Sequence, residues 1–207
     1  MRGQPPFPLF APTWDDYIAA DEAHPGKLER LHGEIYAMAG GSPVHAKLIG
    51  NMQGQLYMKL LGAGCQSSSS EQRVLLPNDD ASYPDAVVWC GVPDFRDGKT
   101  LVNPTVIVEV LSPGNAGWDR TGKLDLYRGI PSVRHVVLVE YARWHISVVS
   151  RRDDGTWSYD AAGPGGSVRL DAIGVVLEVD ALYAAIQAVG GPARDVQLER
   201  DEREGRG

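Results

Sequence analysis

Residues 83–90, YPDAVVWC, and residues 104–127, PTVIVEVLSPGNAGWDRTGKLDLY, decide how this chain is read. Within them Asp85–Trp89 and Thr105–Leu111 are apolar, β-branched runs with few charges, the pattern of strands buried on both faces. The first run opens with Asp85 and the second holds Glu109. A carboxylate in such a run is costly to bury without a cationic partner, so both need a metal, a Lys or an Arg within reach. The nearest candidate downstream is Lys123. It lies in DRTGKLDLY, where Asp119, Lys123 and Tyr127 stand at i, i+4 and i+8 and so share one helix face.

Upstream of this stretch, residues 1–12 hold four prolines and read as an extended arm. Thr13 and Asp16 form a capping-box pattern for a short helix to about Asp21. Lys27–Leu31 and Glu34–Met38 alternate around His32-Gly33 as a hairpin, and Glu34 opens its second strand as a carboxylate that by itself reads as solvent-facing. Ser42 then caps a helix with Pro43 at its first position. That helix is predicted to run to about Leu61, with Val44, Leu48, Ile49, Met52, Leu56 and Leu60 as its buried stripe. His45 falls in its first turn, where the helix dipole favours the neutral imidazole. Residues 65–76 start with a serine-rich segment and end in a strand, Gln72–Leu76, with Glu71 reading as an exposed edge residue. Gly91–Asn103 is rich in Gly, Pro and Asp and reads as a loop.

Downstream, Gly129-Ile130-Pro131 stops the Asp119–Arg128 helix and Val133–Glu140 is a further strand. Trp144–Ser150, Trp157–Ala161 and Ser167–Leu170, separated by DDG and GPGG turns, read as a meander that extends the sheet. Val175–Val179 adds a strand and Asp180–Val189 a closing helix. From residue 190 the chain is charged and reads as a disordered tail.

The 207 residues suit one well-buried domain, 13–189, and 43% hydrophobic with 23% charged residues is the composition of an ordinary globule. No apolar run approaches a membrane span and the N-terminus lacks a secretory core, so the expected location is the cytoplasm. Cys65 and Cys90 have neither the number nor the spacing of a disulfide or metal framework, and Cys90 is expected to be a buried thiol. The net charge of −7 is the opposite of what a nonspecific nucleic-acid binder carries. A bound cation offsets part of it, and Arg120, Arg128, Arg134, Arg143, Arg151 and Arg152 supply local positive charge.

Five ordered blocks, GEIYAMAGGSPVH (33–45), YPDAVV (83–88), VIVEVLSP (106–113), D-R-x-x-K-x-x-x-Y (119–127) and GIPSVRHVVLVE (129–140), resemble the Uma family of restriction endonucleases within the PD-(D/E)XK nuclease superfamily. The resemblance covers roughly residues 13 to 185. It implies a mixed α/β (α+β) fold with a restriction-endonuclease-like core: a central, mixed, mostly antiparallel sheet flanked by the Ser42–Leu61 and Asp119–Arg128 helices. It further implies Asp85 and Glu109 as ligands of Mg²⁺, with Mn²⁺ as a substitute, and the carbonyl of Val110 turned toward the same ion. Glu34 is implied near the metal site, and His45 in binding or orienting phosphate. The sequence departs from the simplest superfamily pattern at Leu111, where an E-x-K motif has Lys. Lys123 is the implied replacement, orienting the attacking water or stabilising developing charge. DNA is the implied substrate and a homodimer the implied assembly. A catalytically silent nucleic-acid-binding protein of the same fold, and a metal-dependent hydrolase of a smaller phosphoester, stand as alternatives.

Overall fold

The runs that carry the carboxylates lie at the centre of a six-stranded sheet. The computed structural model describes residues 9–10, 13–38, 40–112 and 122–194. In it Val106–Leu111 pairs in parallel with His135–Glu140 and antiparallel with Ala86–Cys90. The order across the sheet is Trp157–Ala162, Ile146–Arg151, His135–Glu140, Val106–Leu111, Ala86–Cys90 and Cys65–Ser69. Its other neighbouring pairs are antiparallel. The central strands are covered on both faces, which is why they read as unbroken apolar runs rather than alternating ones.

Strand alternation sorts their side chains into two cores. On one face Ala86, Val88, Val106, Val108, Val110, Val137 and Val139 pack against the helix Pro43–Leu60 through Val44, Leu48, Met52, Leu56 and Leu60. On the other, Val87, Trp89, Ile107, Leu111, Val136 and Leu138 meet Tyr127 and Ile130 after the short helix Leu124–Arg128 begins. The second core also takes in Leu31, Val74, Leu76 and Leu101 from another sheet. That sheet has seven short strands: Leu9–Phe10, Glu34–Ala37, Leu28–Leu31, Ala81–Ser82, Val74–Leu75, Thr100–Leu101 and Phe95–Arg96.

Local signals act as expected at several ends. Thr13 and Asp16 form the capping box of Trp14–Ala23. Ser42 Oγ accepts the His45 N–H at 3.2 Å to cap the long helix. The hairpin turn places His32 and Gly33 at φ 55° and 81°, the left-handed pair a two-residue turn requires. Asp80 secures it, accepting from the N–H groups of His32 at 2.6 Å and Gly33 at 3.1 Å while pairing with Arg30 at 3.0 Å.

Other expectations give way. Residues 91–103 are not all loop: Phe95–Arg96 and Thr100–Leu101 form a hairpin around Asp97-Gly98, strands of two residues being too short to leave a periodic trace. The serine-rich Cys65–Ser69 is an edge strand held by its partner Ala86–Cys90 rather than by its own β propensity. Ser167–Leu170 leaves the meander and pairs with Val175–Glu178 as a separate two-stranded sheet, burying Val168, Leu170, Val175 and Leu177 against the long helix's core. The closing helix is only Val179–Leu182, followed by a 3₁₀ turn Ile186–Val189, because Ala185 takes a left-handed φ of 56° between them. Past residue 190, Pro192 accepts from Trp144 at 3.0 Å and Arg194 pairs with Asp180 at 2.8 Å.

The cysteines also differ from expectation. Cys65 and Cys90 are opposite each other in the antiparallel register and joined by a disulfide. Their separation of 25 residues carries no sign of this, because the pairing of two distant strands creates the proximity. Among the described residues no helix is long and apolar enough to cross a membrane.

Candidate active site at the junction of the two sheets

Asp85, Glu109 and Lys123 are buried at 7%, 5% and 7% exposure. The antiparallel register runs Val106↔Val88, Ile107↔Val87 and Val108↔Ala86, so Glu109 and Asp85 each lie one residue beyond the last pair, at the same end of the strand pair. Asp85 stands just outside its strand, behind Pro84, and its Oδ2 accepts the Val110 N–H at 2.7 Å. The side chain thereby takes over the ladder where the strand backbone stops. The same Oδ2 is 3.2 Å from Nε2 of His45, brought there by the capped first turn of the long helix.

Glu109 is engaged from the other side. Lys123 Nζ lies 3.6 Å from its Oε1, and the Tyr127 hydroxyl donates a short hydrogen bond to the same oxygen. The i, i+4 relation of Lys123 and Tyr127 therefore does put both on one carboxylate. Lys123 directly precedes Leu124–Arg128, and Asp119, the third member of the expected face, lies outside the described residues. Tyr127 is at once a core aromatic and a polar partner: its hydroxyl also lies 3.1 Å from Ser82 Oγ. Burial first, then the negative charges of Glu109 and Glu29, push its pKa well above the ordinary tyrosine value, so it remains a donor at neutral pH.

Glu34, by contrast, faces solvent. It is exposed and accepts from the Tyr36 hydroxyl at 2.5 Å, a bond that raises the Tyr36 pKa. The hairpin carboxylate that enters the cluster is Glu29, which pairs across the hairpin with Tyr36 and so shares a sheet face with Glu34. Glu29 is 6% exposed, and its Oε1 accepts from Lys123 Nζ at 2.9 Å and from the Tyr83 N–H at 3.1 Å. The sequence reading passed over Glu29 because an acidic residue in a hairpin strand ordinarily faces water. In the structure all four residues of that strand, LERL, are buried, and it is this burial, not the sequence pattern, that sets Glu29 apart. Glu71 is an exposed edge residue paired with Lys27 at 2.6 Å.

Some of the arginines gather. Arg128 and Arg151 lie over the Trp157 ring at 5.3 and 4.6 Å, and Arg151 donates to the carbonyls of Arg128, Ile130 and Val133 at the end of the Lys123 helix. Arg134 pairs with Asp153 at 3.1 Å, and Arg143 lies 3.9 Å from Glu140. Arg120 lies outside the described residues.

Among the described residues no three His, Cys, Asp or Glu side chains converge as a metal cage. A carboxylate on a central strand and another just before the adjacent strand still fit Mg²⁺, which is commonly held by one or two carboxylates with water and substrate phosphate completing its octahedron.

Sequence and fold comparisons agree on the class. The family described as "Uma2: Putative restriction endonuclease" matches residues 14–180. The chain belongs to this family. It is 30% identical over 185 residues to the uncharacterized protein slr1290 of Synechocystis sp. (strain ATCC 27184 / PCC 6803 / Kazusa), covering 87% of this chain and 95% of that one. A second Synechocystis protein, the uncharacterized sll1609, is 28% identical over 148 residues, covering 70% of this chain and 84% of its own length. The crystal structure of a "putative nuclease belonging to DUF820" from Anabaena variabilis ATCC 29413 has the same fold, with a TM-score of 0.67 at 14% identity, over 84% of this chain and 98% of that one.

Proposed function

We propose that the protein is a Mg²⁺-dependent endonuclease that hydrolyses DNA phosphodiester bonds, with Mn²⁺ able to replace Mg²⁺. The observation that carries this reading is the buried meeting of Lys123 with Glu109, with Asp85 bonded to the backbone of the next residue, Val110. Asp85 and Glu109 are the residues that hold the cation, together with the Val110 carbonyl. The bound ion supplies an activated water and offsets charge on the phosphoryl oxygens. Lys123 presents a fixed positive charge to the phosphate as negative charge develops there, a contribution it makes while fully protonated. His45 keeps Asp85 oriented at the sheet end and brings a helix N-terminus toward the phosphate. Glu34 and Tyr36, both exposed, are placed to meet the strand as it enters. Two such sites related by a two-fold axis would cut both strands of a duplex in one encounter, so the reading includes a homodimer.

The decisive experiment is nicking of supercoiled plasmid with Mg²⁺ or Mn²⁺ by the wild type and by Asp85→Ala, Glu109→Ala and Lys123→Ala. The wild type is expected to relax the plasmid and each variant to lose at least about 100-fold of that rate. Equal behaviour of all four proteins removes the reading. Turnover of a model phosphodiester without salt-sensitive DNA binding points to a smaller substrate.

A further inference from the structure

Lysine has a long, flexible stem, and a catalytic ammonium is useful only where something fixes it. Lys123 is not carried on a central strand beside Glu109. It reaches the site from the start of a short helix, so its sequence position alone does not aim it. Two carboxylates lie close to it: Nζ is 2.9 Å from Glu29 Oε1 and 3.6 Å from Glu109 Oε1. We propose that Glu29 is the positioning residue of the site, holding the Lys123 ammonium beside Glu109 and tying it to the backbone that carries Asp85. The proposal rests on the nuclease reading for its catalytic consequence but not for its structural one.

Three features support it. Glu29 Oε1 accepts from both the Lys123 ammonium and the N–H of Tyr83, two residues before Asp85, so one buried oxygen links the lysine to the Tyr83-Pro84-Asp85 segment. Glu29 belongs to the seven-stranded sheet, whereas Glu109 belongs to the six-stranded one and Lys123 to the connection that follows it. The site is therefore completed by the hairpin, and a buried carboxylate in a strand of leucines has a purpose beyond packing. Finally, a divalent cation drawing on Glu109 repels an ammonium nearby. A second carboxylate that stays with the lysine keeps it in place while Glu109 serves the ion.

The test reads Lys123 directly. The chain has five lysines, and the Lys123 side chain is 9% exposed against 66% for Lys99. Limiting acetic anhydride followed by peptide mass spectrometry gives the labelling rate of each lysine, with Lys99 as the internal reference. Glu29→Ala is expected to raise Lys123 labelling about tenfold, and Glu29→Gln, which retains an acceptor for Tyr83, by about fivefold. Lys99 stays unchanged in both. Unaltered Lys123 labelling in the Gln variant overturns the proposal, and this variant decides the matter if the Ala variant does not fold. On plasmid, Glu29→Gln is expected to lower kcat about tenfold or more with KM within about twofold, a split that lost stability alone does not produce. A wild type that cuts no DNA defeats the nuclease reading while the labelling result still decides the role of Glu29.

Discussion

The Asp85 carboxylate accepts the backbone N–H of Val110, the residue that follows Glu109, at 2.7 Å. One proposed ligand thus fixes the strand of the other. This contact gives Asp85 two separable duties. Asp85→Asn retains an oxygen for the Val110 N–H but weakens the cation site, whereas Asp85→Ala also leaves a buried donor without its acceptor, at about 1–3 kcal/mol. The expected outcome is that both variants lose nicking while only Asp85→Ala shows a large drop in denaturant midpoint. Full nicking by Asp85→Asn excludes Asp85 as a ligand.

Tyr127 binds Glu109 and Ser82 through one hydroxyl in a buried site. Tyr127→Phe keeps the ring and removes only that hydroxyl, so it is expected to cost about 1.5–3 kcal/mol, the range for a hydrogen bond to a charged group. Tyr17, Tyr83 and Tyr183 resemble Tyr127 in having pKa values raised chiefly by burial. A tyrosine whose folded pKa is raised stabilises the protein fully below its unfolded value of about 10, and that contribution disappears as pH rises above it. Absorbance at 295 nm is expected to show these four ionising together with alkaline unfolding. Their ionisation in the still-folded protein contradicts the burial described.

The long elements and the meeting of the three residues at the centre of the candidate site were legible in sequence for physical reasons. Val106–Leu111 and Ala86–Cys90 are buried on both faces and so announce themselves, and Asp85 and Glu109 stand out as carboxylates needing a cationic partner, with Lys123 the nearest candidate downstream. Glu29 was not legible, since its partner Lys123 lies 94 residues away and only the meeting of two sheets shows that the strand is buried. The Cys65–Cys90 bridge depends likewise on a strand pairing that residues 65–69, mostly serine, do not advertise. The separate sheet at Ser167–Leu170 and the break at Ala185 follow from tertiary packing and one left-handed residue, neither of which alters hydrophobic periodicity.

His135 provides an acid-side prediction. Its Nε2 accepts the Ala172 N–H at 3.1 Å, which requires that nitrogen to be unprotonated, and Nδ1 lies 2.8 Å from Ser150 Oγ. Burial is the main cause of its lowered pKa, with Arg134 lowering it further and Asp171 opposing. A histidine held neutral in the fold contributes stability that is complete above the unfolded value of about 6.5 and is lost as pH falls from there toward the folded value. Below this interval that contribution is gone. Melting curves of wild type and His135→Gln at about pH 7.5 and about pH 5 are expected to show the smaller acid-induced loss in the variant, which cannot gain the proton. An identical loss in both assigns the acid sensitivity to other groups.

The Cys65–Cys90 bridge closes a sequence separation of 25 residues and pins the edge strand to its neighbour. In the chain-entropy account a loop of this length stabilises by about 3 kcal/mol, chiefly by restricting the unfolded chain. For a chain of this size that corresponds to roughly 10 °C in Tm. Reductant is expected to lower the wild-type Tm by about this much and to leave a Cys65→Ser, Cys90→Ser double variant unchanged. The bridge is at the opposite end of the strand pair from Asp85, since Cys65 faces Cys90 while Ser69 faces Ala86. Nicking measured well below either Tm should therefore be equal with and without reductant, because the Val110 contact and the helix cap that orient Asp85 and His45 do not pass through the cysteines. Under reducing conditions the less stable dithiol form is then expected to keep the same site chemistry. A Tm indifferent to reductant shows that the edge strand is held by its ladder alone, and a nicking rate that changes shows that strain at Cys90 reaches Asp85 through the intervening strand.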